Sequence, residues 1–169
     1  MHIETYAMDD NYRIGYGYDV HRLAAGLPLV LGGVRIEHDK GCVAHSDGDV
    51  LIHAVCDALL GAAALGDIGT HFPDTSAQFK GIDSSLLLKE CAALLSGKGY
   101  RIVNVDSTVV LQKPRIAPYI NDMRAAMAAA MGVDQDRVSV KATTEEGLGF
   151  TGREEGVAAH AVVMIAKGV

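Results

Sequence analysis

Histidine and aspartate side chains are concentrated in two neighbouring stretches near the N-terminus, and both residue types bind transition metals. Asp19 and His21 are separated by one residue, and the run His45-Ser-Asp-Gly-Asp49 follows them closely. Residues two apart on a strand point to the same face, so Asp19 and His21 are predicted to reach one ion from an extended segment, with Val20 packed behind them.

A third candidate ligand lies in the apolar run that follows Asp49. Its period predicts a helix over about 48–65, beginning at Asp47 and Gly48. His53 and Asp57 are four residues apart and share one face of this helix, so we interpret His53 as a ligand and Asp57 as the carboxylate that orients its imidazole. A set of two histidines and one aspartate leaves a fourth tetrahedral position open, which is typical of a catalytic zinc.

Each of these residues also has an ordinary structural interpretation. Asp19 could belong to a turn, His21 to the surface, and His53 to the helix interior with a hydrogen-bond partner. Taken together the alternative is weaker, because several polar groups in an apolar, glycine-rich region need a reason to be buried. The sequence therefore favours a metal site.

The elements that must position these residues alternate between strands and helices. The pattern predicts a two-layer α/β sandwich (an α+β arrangement) with a mixed sheet and helices on one face. Strands are predicted at 13–21, 29–36 with a bulge or bend at Gly32-Gly33, 101–112, 137–143 and 157–166. Helices are predicted at about 48–65, 84–96 and 118–131, with a turn at 38–41 and loops at 66–75 and 147–156. One sheet face would then be left uncovered, although the strands at 105–111 and 157–165 are apolar over most of their length, which predicts oligomerisation.

Length and composition limit the class of protein. The chain has 169 residues, of which 49% are hydrophobic and 5% aromatic. We expect one domain over 13–169, preceded by a mobile extension over 1–12. The net charge of −6, with scattered basic residues, argues against nucleic-acid binding. Three cysteines without C-x-x-C spacing predict a reducing cytoplasm, and neither an export leader nor a membrane span is expected.

Two glycine-rich or acidic motifs have more than one interpretation. Gly147-Leu-Gly-Phe-Thr-Gly152 fits the dinucleotide-binding pattern G-x-G-x-x-G, but no helix and acidic residue follow at the required distance, so we reject that interpretation. The segment Lys141-Ala-Thr-Thr-Glu-Glu146 could bind a phosphate and a hard cation, or could be a solvated strand end. The sequence has no P-loop, H-E-x-x-H or G-x-S-x-G motif.

Four ordered motifs carry a family resemblance over residues 13–167. They are D-V-H, H-S-D-G-D-x-x-x-H, G-D-I-G-x-x-F-P-D-T and K-A-T-T-x-E-x-L-G-F-T-G-R. In these the chain closely resembles the 2-C-methyl-D-erythritol 2,4-cyclodiphosphate synthase family. The resemblance implies a homotrimer with its sheets packed around the threefold axis and its active sites between subunits. It also implies a zinc-type ion on Asp19, His21 and His53, and a magnesium or manganese ion near Glu146.

The implied reaction is an intramolecular phosphoryl transfer in the non-mevalonate isoprenoid pathway. The 2-phosphate of 4-diphosphocytidyl-2-C-methyl-D-erythritol 2-phosphate attacks the β-phosphorus, and CMP leaves. No protein nucleophile is required, since alignment and charge stabilisation account for most of the catalysis.

The same resemblance assigns roles to individual residues. His45 and Thr144 correspond to transition-state stabilisers, Ser46 to a substrate contact, and Phe150 and Arg153 to positions near the trimer axis or the phosphates, where the family can hold an isoprenoid diphosphate. The remaining substrate contacts are Asp19, His21, Asp67, Ile68 and Gly69 at the metal and ribose, the flap residues Phe72, Pro73, Asp74, Thr75 and Ser76, the cytidine-pocket residues Lys113, Pro114, Arg115, Ile116, Ala117, Ala142 and Thr143, and the carboxylates Glu145 and Glu146.

Two positions depart from the family pattern, and two other functions compete with it. Arg115 replaces a common Lys, and Glu145 replaces a common Thr, adding charge that either tightens metal binding or faces solvent.

The first competing function is a metal-dependent phosphohydrolase that uses a zinc-bound water. The second is a catalytically silent trimer that binds isoprenoid diphosphates.

Overall fold

Strands and helices alternate along the chain and form two layers. The computed structural model describes residues 11–73 and 81–168. The strands are β1 (Tyr12–Ala25), β2 (Leu29–Leu31), β3 (Val34–Ile36), β4 (Lys40–Val43), β5 (Tyr100–Val110), β6 (Val138–Thr143) and β7 (Gly156–Lys167). The helices are α1 (Val50–Ala62), α2 (Ile68–His71), α3 (Ser84–Gly97), α4 (Ile120–Met131) and α5 (Gly149–Gly152), with short 3-10 turns at Ala117–Tyr119 and Gln135–Arg137.

The main sheet has the order β4-β1-β7-β5-β6. Strands β5 and β6 are parallel and the other neighbours are antiparallel, so the sheet is mixed. Helix α1 packs on β1 and β7, while α3 and α4 pack beside it over β5 and β6. The predicted sandwich with helices on one face is confirmed.

Glycines in β1 bring α1 unusually close to the sheet. A Cβ atom at Gly15 would lie 1.9 Å from the Ala58 carbonyl oxygen, and one at Gly17 would lie 1.9 Å from the Ala54 carbonyl oxygen. Gly15 and Gly17 share their face of the strand with Asp19 and His21 because alternate residues point the same way. The helix therefore rests directly on the β1 backbone beside the two candidate ligands.

Helix α1 is buried almost all round, since ten of its 13 residues are core residues. Its three other residues are His53, Asp57 and Gly61. The two polar side chains of this otherwise apolar helix, His53 and Asp57, therefore lie on the side of the candidate site.

Several predicted element boundaries need correction. The segment 29–36 is not one bulged strand but a hairpin, because Gly32 (φ 60°) and Gly33 (φ 77°) form a left-handed two-residue turn between β2 and β3. The predicted turn at 38–41 runs into strand β4, which was missed. Asp49, and not Asp47, caps α1. Short helices α2 and α5 lie within the two predicted loops.

The predicted N-terminal extension falls largely outside the described residues. Positions 1–10 are not described, whereas Tyr12 already pairs with Ala166 in the sheet. The first strand thus begins one residue before the predicted start of the domain at 13. Within the described ranges, no helix has both the length and the apolar character needed to cross a bilayer.

The sheet face opposite the helices exposes large apolar side chains. Those on β1 are Tyr12, Ile14, Tyr16, Tyr18 and Val20, each at least 43% exposed. Val162 of β7 is also exposed, but the β5 residues Val105 and Val109 are buried. A sheet face without helices was predicted and is found, and β1 contributes most of its exposed apolar side chains. Val20 faces this surface instead of packing behind the ligands.

Candidate metal centre

Three potential ligand atoms converge where β1 meets α1. The His53 Nδ1 lies 3.0 Å from Asp19 Oδ2 and 3.2 Å from His21 Nε2, and the third side of the triangle, from His21 Nε2 to Asp19 Oδ2, is 3.3 Å. Ligands at about 2.0–2.1 Å from a tetrahedral zinc are separated by roughly 3.3 Å, so the triangle fits such an ion. Among the described residues this is the candidate metal cluster, as the sequence predicted.

The electrostatics of the three residues also suit a cation. Burial is the largest influence on His21 and lowers its pKa, against the opposing charge of Asp19. Burial also lowers the pKa of His53, but the hydrogen bond and charge of Asp19, with the charges of Asp49 and Asp47, outweigh it and raise the pKa overall. The Asp19 carboxylate therefore favours a positive charge on His53, while the lowered pKa of His21 favours its neutral form, which is the form that can bind a metal.

The three ligands line an open cavity of about 510 Å³. We call it the metal cavity. Its other lining residues are Ala44, His45, Ser46, Asp57, Ile68, Gly69, Phe72, Pro73, Ile82 and Leu87. Six residues predicted as substrate contacts besides the ligands are thus brought together around the cluster: His45, Ser46, Ile68, Gly69, Phe72 and Pro73. The flap positions Asp74, Thr75 and Ser76 lie outside the described residues.

Two predicted residues beside the metal cavity have other partners. Asp57 Oδ1 accepts a hydrogen bond from the Ile68 backbone N–H at 2.8 Å, so this carboxylate anchors α2. It does not orient His53 as predicted, because the described contacts of the His53 ring are with Asp19, His21 and two serines. Asp67 caps α2 by accepting from the Thr70 N–H and hydroxyl, and these hydrogen bonds lower its pKa.

Ser84 and Asp47, whose roles the sequence did not identify, hold the far side of His53, and Asp49 caps α1 nearby. Ser84, the buried first residue of α3, has its Oγ 2.9 Å from His53 Nε2. Asp47 accepts hydrogen bonds from the Ser84 hydroxyl and from the Ser84 N–H. Asp49 is fully buried and accepts from the backbone N–H groups of Gly32, Gly33 and Ile52. The H-S-D-G-D motif could have indicated the roles of Asp47 and Asp49. No sequence pattern indicated Ser84, which lies 31 residues beyond His53.

The predicted cytidine-pocket residues form a second, separate region. We call it the strand-end surface and define it as residues 111–117 and 142–146. Thr144 Oγ1 donates to Glu146 Oε1 at 3.1 Å, and Glu146 has a left-handed φ of 52°. Such a conformation costs a non-glycine residue on the order of 1 kcal/mol and is often found at functional sites. Lys113 forms an ion pair with Glu154 at 3.0 Å, while Ile116 is buried in the core.

Four further predicted site residues lie on or near the strand-end surface, and two of them have side-chain partners. Glu145 Oε2 accepts a hydrogen bond from the hydroxyl of buried Thr151, and the residue as a whole is exposed. Arg153 forms a two-point ion pair with Glu155, and that pair raises the pKa of Arg153. Phe150 lies on α5 and is 37% exposed. Arg115 is exposed on the strand-end surface.

The sheet register relates the two regions. Asp19 pairs with Ala159 of β7, Ala159 with Val109 of β5, and Val109 with Ala142 of β6. Asp19 and Ala142 therefore lie on one row across the sheet, separated by three strand spacings, or roughly 14 Å. No residue of the strand-end surface is among the described residues that line the metal cavity. Within one chain, the predicted site is divided into two parts.

The fold and the three-ligand cavity define a candidate α/β metalloenzyme. Residues 12–166 match the model of the YgbB family, and the chain belongs to that family. A relative from Syntrophomonas wolfei, named 2-C-methyl-D-erythritol 2,4-cyclodiphosphate synthase, is 63% identical over 153 residues, which are 90% of this chain and 98% of the relative. A relative of the same name from Pseudomonas syringae is 61% identical over 92% of this chain and 99% of its own.

Solved structures agree with the fold. The bifunctional IspDF of Campylobacter jejuni superposes with a TM-score of 0.89 at 42% identity, over 92% of this chain but only 42% of that longer protein. IspF of Plasmodium falciparum, solved as a CDP complex, gives a TM-score of 0.83 at 32% identity and covers 95% of this chain and 99% of its own.

Proposed function

We propose that this protein is a metal-dependent 2-C-methyl-D-erythritol 2,4-cyclodiphosphate synthase, a phosphorus-oxygen lyase of the non-mevalonate isoprenoid pathway. The observation that carries the proposal is the triangle of Asp19, His21 and His53 in a cavity whose lining matches the predicted substrate contacts. The names of the relatives that are more than 60% identical over the aligned residues support the same activity.

The substrate, 4-diphosphocytidyl-2-C-methyl-D-erythritol 2-phosphate, supplies its own nucleophile. An oxygen of the 2-phosphate forms a bond to the β-phosphorus, the bond from that phosphorus to the bridging oxygen of the CMP phosphate breaks, and CMP leaves with the electron pair. The product is the cyclic diphosphate. His45 in the metal cavity and Thr144 on the strand-end surface would stabilise charge on the transferring phosphorus.

The carboxylate and imidazole groups present suit two kinds of cation. Asp19, His21 and His53 would hold a zinc-type ion, and Glu146 would bind a magnesium or manganese ion together with the diphosphate. Bound divalent cations neutralise phosphate oxygens, which helps an acidic protein to hold a polyanion. The chain itself contributes the fixed ligand triangle and the walls that align the two reacting phosphates.

The active site would be completed between subunits of a homotrimer. The roughly 14 Å separation within one chain leaves the cytidine-binding residues away from the metal cavity, so a neighbouring subunit must bring its strand-end surface to it. The exposed tyrosines and aliphatic residues on β1 would supply the apolar interface. Phe150 and Arg153 would face the axis, where an isoprenoid diphosphate could bind. The three free, buried cysteines suit a cytoplasmic enzyme.

The test is to incubate the purified protein with the diphosphocytidyl substrate and magnesium, with and without zinc, and to identify the products by phosphorus NMR and mass spectrometry. CMP with a cyclic diphosphate is the expected result. CMP with an open-chain diphosphate would mean that water attacks and the protein is a phosphohydrolase. No turnover with any metal, together with retained binding of isoprenoid diphosphates, would identify a binding protein instead.

A further inference from the structure

We propose that Ser84, held by Asp47, is a positioning residue that fixes His53 in the tautomer presenting its Nδ1 atom to the metal. This inference rests on the metal site of the proposed function. It adds a hydrogen-bonded chain from Asp47 through Ser84 to His53, which links the start of α3 to a ligand on α1.

The geometry of this chain is continuous. His53 Nε2 lies 2.9 Å from Ser84 Oγ, and Ser84 Oγ lies 2.5 Å from Asp47 Oδ1. The other oxygen of Asp47, Oδ2, accepts from the Ser84 N–H at 3.0 Å. Ser84 is 0% exposed, so water does not compete for its hydroxyl. Both polar groups of Ser84 are thus held by one carboxylate.

The chemistry of the chain allows one direction of donation. Nδ1 faces Asp19 and His21 and would use its lone pair to bind the metal, so a neutral ring carries its proton on Nε2. That N–H donates to Ser84 Oγ. The Ser84 hydroxyl in turn donates to Asp47, because an ionised carboxylate can only accept. A metal-bound histidine commonly donates its second N–H in this way, which fixes the ring and raises its basicity.

Ser46 is a second hydroxyl near the same nitrogen, but it is less well placed. Its Oγ lies 3.2 Å from His53 Nε2 and also accepts from the Gly48 N–H at 3.2 Å. It lines the open metal cavity, where it is available to substrate. Ser84 lies behind the ring and has a fixed carboxylate partner, so we assign the positioning role to Ser84.

The experiment compares zinc affinity, measured by chelator competition, in the full-length parent protein and in single-residue variants. Ser84→Ala should weaken zinc binding by about 10- to 100-fold. Ser84→Thr, which keeps the hydroxyl, should restore most of the affinity. Ser85→Ala is the matched control, because Ser85 neighbours Ser84 on α3 but takes no part in the chain to His53; its zinc affinity should stay within about twofold of the parent.

A second comparison separates metal positioning from helix capping. Asp47 and Asp83 both accept backbone hydrogen bonds at the start of α3, from Ser84 and Ser85 respectively. Asp47→Asn should weaken zinc binding, whereas Asp83→Asn should lower only the melting temperature. Folded Ser84→Ala protein with zinc affinity within twofold of the parent would overturn the proposal.

Nitrogen-15 NMR of the zinc-loaded parent keeps the test independent of variant folding. The proposal predicts a protonated, slowly exchanging Nε2 on His53, and an unprotonated Nε2 would overturn it. A parent that binds no zinc at all would overturn the metal site of the proposed function, and the positioning role with it. A parent that binds zinc but shows no effect of Ser84→Ala would overturn the positioning role alone.

Discussion

The metal cavity and the strand-end surface differ in how completely one chain builds them. In the metal cavity, Asp19, His21 and His53 come from two packed elements, and the partners of His53 are themselves buried or hydrogen-bonded. On the strand-end surface, residues 142–146 are all exposed at the end of an edge strand. One region is preorganised by the core of its own subunit, and the other presents groups that need a facing surface.

This difference follows from where the two regions lie relative to α1. Close packing of α1 on Gly15 and Gly17 brings a helix residue against strand residues, so three ligands meet without help from another chain. Among the described strands, none pairs with the outer edge of β6, and the end of β6 is held by local contacts such as that between Thr144 and Glu146. Each region can therefore be perturbed separately, and the following changes are ordered by the size of the expected effect.

Removal of a ligand should abolish catalysis and leave the strand-end surface unchanged. His53→Ala should lower kcat/KM by about 10³-fold or more, because the transferring phosphate loses several kcal/mol of charge stabilisation. Zinc content and turnover measure the loss. Calorimetric titration with CMP should show nearly parental affinity.

His38→Ala is the control for loss of a histidine outside the metal cavity, and its turnover should match the parent. Retained turnover of metal-loaded His53→Ala would remove His53 from the ligand set.

Loss of the cap that joins α1 to the β2–β3 hairpin should have the next largest effect. Burial raises the pKa of Asp49, and its three backbone N–H donors oppose that rise. Asp49→Ala leaves those donors without a partner and should lower the free energy of unfolding by about 2–4 kcal/mol. Urea unfolding provides the measurement. Asp83→Ala, which removes an exposed one-bond cap, should cost only about 1 kcal/mol.

The structure of the metal cavity also shows which parts of the site could be predicted from sequence. Asp19, His21 and His53 were predictable because strand and helix periods place residues locally. The supporting residue Ser84 was not, because its proximity to His53 depends on how α3 packs against α1. The hairpin at Gly32-Gly33 was predicted as a bulge or bend within one strand, because two glycines permit all of these conformations; in the structure Asp49 accepts hydrogen bonds from both of their N–H groups.

The close approach of strand and helix can be tested by adding one methyl group. Gly17→Ala would place a Cβ atom against the Ala54 carbonyl and should force α1 away from β1, at a cost of about 1–3 kcal/mol. The shift should weaken zinc binding more than CMP binding. Gly61→Ala is the control on α1, because a Cβ atom at Gly61 would have its nearest contact 4.0 Å away. Equal zinc affinity in the two variants would show that the close packing of α1 on β1 does not position the candidate ligands.

The smallest effect is expected at the exposed pair that supports β6. The hydrogen bond from Lys141 is the main cause of the lowered pKa of Asp106. A lowered carboxylate pKa stabilises the folded state above the ordinary aspartate range, and that stability is lost as the pH falls through the folded-state pKa. Asp106→Asn should therefore cost under about 1 kcal/mol at neutral pH. Thermal melts at falling pH should show the parent and variant converging.

The proposed active site combines the metal cavity of one subunit with the strand-end surface of another. Co-expression of His53→Ala and Thr144→Ala chains with different tags, followed by purification through both tags, tests this most directly. Each variant alone should be nearly inactive. Every mixed trimer holds one site of three in which an intact metal cavity meets an intact strand-end surface, so the doubly purified oligomers should recover about a third of parental activity. Mixed oligomers no more active than the two single variants would contradict this shared arrangement, because each site would then lie within one chain.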